Sequence, residues 1–348
     1  MELRAYIIRR LLLLIPVLLG VTLFIFGITM LFSPIERASL YVSGVREFSD
    51  LPEIIARFGL DRPFFMQYGT WINQVLHGNL GWSFVVGMPV WDAVWSFLPA
   101  TLELAMFAAP LIVFMGIFLG TRAAAHKDKP VDHVTRILAI SGWSLPTFWL
   151  GLILMMIFYG LIRGFLPPGR LSVPMDFVVH SAGFTRYTTI NTIDAILNLN
   201  GPVLLDALRH LILPVITIST VNVAFIMRLM RSSMLESLGR GYVLTARAKG
   251  LSERIVVNKH ARRNALIPVI TVSGYVFAGL AGGAVITESI FAYKGIGWWA
   301  YQAASRLDIA SILGFALFTG FLFVLVNLIV DIIYTRVDPR VRLGGTVQ

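Results

Sequence analysis

Residues 99–121 read PATLELAMFAAPLIVFMGIFLGT, a run in which Glu103 is the sole ionisable side chain. A helix rises about 1.5 Å per residue, so about 20 apolar residues span the roughly 30 Å hydrocarbon core of a bilayer. Five further runs share this character, at 11–32, 137–162, 211–230, 265–292 and 309–333. In hydrocarbon a backbone must satisfy its own polar groups, which leaves helices or a closed barrel. The runs are continuous and lack the alternation of barrel strands, so the expected fold class is an all-α membrane protein with six transmembrane helices.

Composition agrees with that expectation. Of 348 residues, 57% are hydrophobic and 14% charged, with a mean hydropathy of +0.77, more apolar surface than one soluble core can hide. The formal charge of +10 would suggest nucleic acid in a soluble chain, but here the placement of charge carries the meaning, and no nucleic-acid module is present. The absence of cysteine excludes disulfides and thiolate metal sites. The first run follows Arg4, Arg9 and Arg10 as a secretory core would, yet it is longer than the 7–15 residues typical of such cores and lacks a small-x-small site before Ser33. It is expected to be a retained first helix.

With six spans both termini share a side. Most of the 29 Lys and Arg lie on that side, at the N-terminus and in residues 122–136, 228–263 and 336–342, which makes both termini cytosolic by the positive-inside rule. The outward side then carries two connections, 33–98 and 163–210, too long for turns and rich in Trp, Tyr, Pro and Gly. Trp71, Trp82, Trp91 and Trp95 fit either an interfacial aromatic belt or a small cap facing a partner. The chain therefore divides into a first span with its cytosolic N-terminus (1–32), an outward loop (33–98) and a core (99–348) holding the outward insertion 163–210 and a cytosolic segment at 232–264.

Polar groups inside spans are functional candidates by default. They are Glu103, Asn222, Glu288, Asn327 and Asp331, with structural pairing favoured for Glu288 and Asp331 because both lie near a span end. Gly274, Gly279, Gly282 and Gly283 form a small-residue face with one GxxxG pair, suited to tight helix packing or to helices that slide. Pro146, after Ser141 and Ser144, should kink the third span and free carbonyls toward the interior. Ser141, Ser144, Pro146, Asn222, Gly279, Gly283 and Glu288 are accordingly candidates to line a path across the membrane.

Catalytic signatures are missing. There is no GxxxxGK[ST] phosphate loop, HExxH, GxSxG or EF-hand pattern, and the six His show no metal spacing. No Ser/His or Asp/Asp pairing suggests an intramembrane hydrolase. Energy for uphill transport would have to come from outside the chain.

Between the fourth and fifth runs lies SSMLESLGRGYVLTARAKGLSERIVVNKHARRNALIPVIT, residues 232–271. It predicts two helical pieces. The small-residue stretch ending at Lys249 meets Gly250, a natural left-handed cap, and Ser252 with Glu253 supplies an N-cap and a first-turn acid for the second piece. A solvated basic loop would satisfy the charge rule alone, but it would not need Ala246, Ala248 and Gly250 among capping signals. A short elbow that docks in a partner's groove accounts for both.

At these residues the sequence resembles the inner-membrane permeases of dipeptide, oligopeptide and nickel ABC importers, specifically the first of their two paired permease types. Its version of the cytosolic motif, roughly YVxTARAKGLS followed by HAxRNALxP, is matched at 242–252 and 260–268. Further agreement lies in FGLDRPFFMQYGTWINQVLHGNLGWS from Phe58, LPATLELA from Leu98, LDALRHLILP from Leu205, GGAVITESIFAYKGIG from Gly282 and VDPRVRLG from Val337. The chain departs from the family's pattern at Ser33 to Glu36, Asn79 and Lys294.

The resemblance implies an ABC type I importer permease fold and no catalysis in this chain. It implies a second, similar permease, two cytosolic ATPase subunits that bind ATP and magnesium, and an external solute-binding protein. The coupling contact with an ATPase would fall on Tyr242, Thr245, Ala246, Arg247, Ala248, Lys249, Gly250, Leu251, Ser252, Glu253 and Arg254. Cargo is expected to be di- or oligopeptides, with oligosaccharide or nickel as alternatives. An ion-coupled secondary carrier is a weaker alternative, since it calls for internal repeats and a midplane ionisable relay.

Overall fold

The computed structural model describes residues 3–41, 51–162 and 164–337. Long apolar runs become long helices there. α1 (Leu3–Thr29) carries the first run and ends before Ser33, which forms a capping box with Glu36 at the start of α2 (Pro34–Arg37). The connection 33–98 is more than a loop. It holds α3 (Leu51–Phe58), α4 (Phe64–Leu76) and a short antiparallel hairpin that pairs Trp82 with Pro89 and Ser83 with Met88.

Of the four tryptophans, Trp91 and Trp95 fit the aromatic belt, while Trp71 and Trp82 pack in a small core of the chain itself. Trp71 is buried and stacks on Phe26 of α1 at 5.3 Å, so it belongs to a small core that ties the connection to the helices. Trp91 and Trp95 lie exposed on the first turns of α5 (Val90–Ala125), edge to face at 5.7 Å, as belt residues would.

The third run is not one rod. α6 (Pro130–Ser144) and α7 (Thr147–Met155), the latter prolonged by a π-helical turn over Met156–Leu161, meet at Leu145 and Pro146 with a bend of 94°. A proline lacks the N–H that would continue the ladder, and the expected kink becomes a corner. The connection 163–210 holds α8 (Val173–Val179) and α9 (Asn191–Leu197), and its end already belongs to α10 (Gly201–Leu238). After α10 come α11 (Gly241–Ala248), α12 (Glu253–Ile255), a π-helical segment over Val256–Ala261 and α13 (Arg262–Ala281). α14 (Val285–Ile290), α15 (Ile296–Ser305) and α16 (Ile309–Val337) complete the described chain.

Four stretches, Val90–Ala125, Gly201–Leu238, Glu253–Ile290 and Ile309–Val330, are long and apolar enough to cross a membrane, and the bent α6–α7 pair makes a fifth. α10 lies at the centre, packed along α5 and against α6, α7 and α13. Its approach to α5 depends on glycine. A side-chain carbon at Gly116 would lie 2.5 Å from Ile226, and one at Gly120 would lie 2.6 Å from the carbonyl oxygen of Met227. Small residues let helix backbones come this close, and close packing is what drives helix association in lipid.

The expected GxxxG face at Gly279 and Gly283 is not one. The fifth run breaks after α13, Gly283 has φ +113°, and a side-chain carbon there would lie 2.9 Å from the backbone nitrogen of Gly297. Gly283 thus serves a backbone crossing between the α13–α14 break and α15. Gly279 has nothing within 4 Å of its missing side chain, while Gly274 packs on Val330 of α16.

The buried carboxylates hold joints. Glu103, 1% exposed, accepts from Arg170 and Tyr293 at 2.8 Å each and from the backbone N–H of Thr192, binding α5 to the 163–210 connection and the turn after α14. Asp132 takes a two-pronged contact from Arg231, at 2.6 and 2.7 Å, fixing α6 to α10. Asp308 accepts from Ser83, the Val85 N–H and Ser311, so the start of α16 and the hairpin share one anchor. A buried carboxylate left without donors would cost several kcal/mol, which is why each has several.

Candidate functional site

A cavity of about 650 Å³ opens where α6, α7, α10, α13 and α14 meet. Helical periodicity places its lining. Ile218, Val221, Asn222 and Phe225 share one face of α10, and Val272, Tyr275, Val276, Gly279 and Leu280 share one face of α13. Trp143 and Thr147 enter from the corner between α6 and α7, and Val285, Ile286 and Thr287 from α14. Trp143 is held in place from two sides, stacked on Phe225 at 5.7 Å with the Arg228 guanidinium 4.7 Å from its ring centre. The lining carries no ionisable side chain apart from the Tyr275 phenol.

Of the residues expected to line a path, Asn222, Gly279 and Gly283 do line this cavity. Ser141, Ser144 and Pro146 do not. They lie exposed at the corner, and their neighbours Trp143 and Thr147 face the space instead. Glu288 is also excluded from it. It is 0% exposed and accepts from Thr101 at 2.9 Å, the Ala284 N–H at 3.1 Å and the Trp298 N–H at 2.9 Å. It ties α14 and α15 to α5, the structural pairing expected of it. The side chain of Asp331, expected to pair likewise, lies outside the described residues.

The periodic signal for Trp143, Phe225 and Tyr275 is present in the sequence, but an apolar helix face reads the same whether it meets lipid, protein or a cavity. Phe225 and Arg228 of α10 are what hold Trp143 against the cavity.

The elbow follows directly from α10. α11 ends in a Schellman-type cap, with Gly250 at φ +76°, its N–H donating to Arg247 and the Leu251 N–H donating to Ala246. Glycine is needed there because an L side chain in that conformation is strained. Ser252 takes the extended conformation of an N-cap but makes no side-chain capping bond. Glu253 turns back across the corner to Arg247, with contacts of 3.1 and 2.6 Å. The ion pair, not a hydroxyl cap, closes the turn.

Exposure separates the elbow's residues into two sets. Val243 and Ala246 are buried in the main core with Val256 and Val257, so Ala246 anchors the elbow and is not part of its outer surface. Tyr242, Leu244, Thr245, Arg247, Ala248, Lys249, Gly250, Leu251, Ser252, Glu253, Arg254 and Ile255 are exposed. Tyr242, Leu244, Leu251 and Ile255 are apolar or largely so, which gives the elbow exposed apolar side chains beside its basic ones. Such a surface suits protein contact more than bare solvation.

The chain is thus a many-helix membrane protein in which α10 and α13 wall a cavity and the segment joining them stands out as an exposed elbow. Residues 112–343 match the family described as the binding-protein-dependent transport system inner membrane component, and residues 3–105 match that family's N-terminal region. The chain is 40% identical to a probable D,D-dipeptide transport system permease of Escherichia coli strain K12, over 95% of this chain and 96% of the relative. It is 41% identical to a di/tripeptide transport system permease of Pseudomonas aeruginosa, over 97% and 98%, and 36% identical to a dipeptide transport system permease of Alkalihalophilus pseudofirmus, over 97% and 99%. The chain belongs to the binding-protein-dependent inner-membrane permease family. It is a non-catalytic, multi-pass permease subunit of an ABC importer in the cell membrane.

Proposed function

We propose that the chain crosses the membrane six times, α1 adding to the five candidate spans, with both termini in the cytosol. With a second, similar permease it forms a path for di- or oligopeptides handed over by an external solute-binding protein. Two cytosolic ATPase subunits, which bind the ATP and magnesium, drive the path open and closed through the elbow. The observation that carries this is mechanical: α11 joins α10 to the α12–α13 segment, and α10 and α13 face each other across the cavity. Force applied to the exposed surface from Tyr242 to Arg254 is delivered to both walls, since Val243 and Ala246 lock the elbow into the core.

Peptide cargo is supported by the dipeptide and di/tripeptide transport of the relatives and by the lining. Aromatic and small residues with Asn222, and no fixed charge, allow side chains of either sign to pass. Selection would then rest with the binding protein.

The test is uptake by vesicles reconstituted with the full set of subunits. Gly250→Trp should leave assembly intact, keep ATP hydrolysis and abolish dipeptide uptake. Wild-type uptake must survive collapse of the proton gradient and stop without the ATPases. Normal uptake by the variant would refute the elbow's role, and uptake that follows the proton gradient would make the protein a secondary carrier.

A further inference from the structure

At the end of the bundle that carries the elbow, a second cavity of about 480 Å³ lies between the last turns of α5 and the start of the α12–α13 segment. Its lining is basic: Arg122, Arg254 and Arg262, with His126 and Asn258. The one carboxylate present, Glu253, is engaged by Arg247 across the elbow. Among the described residues none of the three arginines has an ion pair, and the Nε of Arg262 is buried with no hydrogen-bond partner. A cluster of guanidinium groups whose one neighbouring carboxylate is engaged elsewhere is costly by self-repulsion and leaves donors without acceptors.

An apolar strip leads into this cavity. Leu111, Phe114, Phe118 and Arg122 follow one another at three- and four-residue spacing, so they share one face of α5. Leu111, Phe114 and Phe118 are exposed, and the two rings stack at 6.0 Å. Phe118 lines the cavity, and the Arg122 guanidinium sits 4.5 Å from its ring centre.

We propose that the cavity is a binding site for the phosphate headgroup of an anionic membrane lipid, with Arg122, Arg254 and Arg262 holding the phosphate and the Leu111–Phe114–Phe118 face carrying an acyl chain. The sequence of apolar strip, cation over ring, then basic pocket is that of a lipid lying along a helix with its head at the membrane surface. A free phosphate or an acidic protein side chain could answer the arginines, but neither would use the exposed rings above them. The site touches the root of the elbow through Glu253 and Arg254. The lipid would therefore brace the joint between α5 and α13 without lying in the path.

Native mass spectrometry of the intact detergent-purified chain tests this, with phosphatidylglycerol, cardiolipin, phosphatidylcholine and inorganic phosphate added in turn. The wild type should retain the anionic lipids over phosphatidylcholine. Arg122→Gln and Arg262→Gln should each lower that preference about fivefold, the effect of one surface arginine on an anionic lipid. Arg122→Lys should restore most of it, and Arg136→Gln, on α6 outside this cavity, should leave it unchanged. Phe118→Ala should weaken lipid retention without altering competition by inorganic phosphate. Equal retention of charged and neutral lipids would overturn the proposal, as would displacement by phosphate with no lipid preference. Loss of ATPase association in the arginine variants with lipid retention unchanged would assign the surface to the ATPase instead.

Discussion

At Gly120 a side-chain carbon would lie 2.6 Å from the carbonyl oxygen of Met227 and 2.7 Å from Met230, whereas at Gly279 nothing lies within 4 Å. Both glycines belong to a G-x-x-x-G spacing, Gly116 with Gly120 and Gly279 with Gly283. In the first pair the facing element is the backbone of α10, and the groove is filled. In the second, one member opens onto the cavity and the other has left the helix to cross the backbone of Gly297. Small residues mark where a chain is narrow. What occupies the vacated space is decided by another segment, and it separates a closed joint from an open cavity.

The contrast can be broken most severely at the joint. Gly120→Leu should destabilise the protein by about 3 kcal/mol or more, because the opposing atoms include a carbonyl that cannot rotate aside, and overpacking a close contact already costs about 1–3 kcal/mol. The thermal midpoint of the purified protein would read it, and a wild-type midpoint would mean the α5–α10 approach is looser than described. Next in size, Gly283→Val should cost about 2–3 kcal/mol by combining a left-handed backbone with the Gly297 contact. If it proves as mild as a surface change, the crossing at the α13–α14 break is not a tight one.

Gly279→Ala should be silent or stabilising by up to about 1 kcal/mol, the helix-propensity gain of alanine over glycine. Gly279→Trp should keep the melting midpoint and sharply reduce uptake by filling the cavity. Unimpaired uptake by the Trp variant would remove that cavity from the path. The smallest effect is expected at the elbow. Arg247→Ala breaks an exposed ion pair worth about 0–1 kcal/mol, so the midpoint should hardly move, and any loss of uptake would report on coupling and not on folding.

Much of the molecule was legible in order. The membrane class, the five apolar stretches now seen as candidate spans, a break at Pro146 and the left-handed cap at Gly250 each rest on local chemistry: length of apolar run, a missing N–H, a missing Cβ. The candidate site was only half legible. Asn222 and Gly279 were found because a polar or small residue stands out in an apolar run. Trp143, Phe225 and Tyr275 were not, because they are apolar residues among apolar residues. Glu288 drew both readings, and the structure keeps the pairing expected of it and removes it from the path-lining candidates. A lone carboxylate in a span draws a functional reading, and its donors Thr101, far back along the chain, and Trp298, ten residues on, lie on other helices.

By itself the amino-acid sequence determined that the chain lives in lipid, where its long apolar runs lie, that an elbow with a glycine cap interrupts them, and the family through its ordered motifs. These are properties of a residue and its near neighbours, or of spacing along one line. Only the tertiary structure decided which glycines are contacts and which are openings, that Ala246 anchors the elbow while its neighbours face outward, and that α10 and α13, joined by that elbow, also wall the cavity. Each of these depends on what lies across a gap between segments, and a one-dimensional pattern of apolar residues carries no record of the far side.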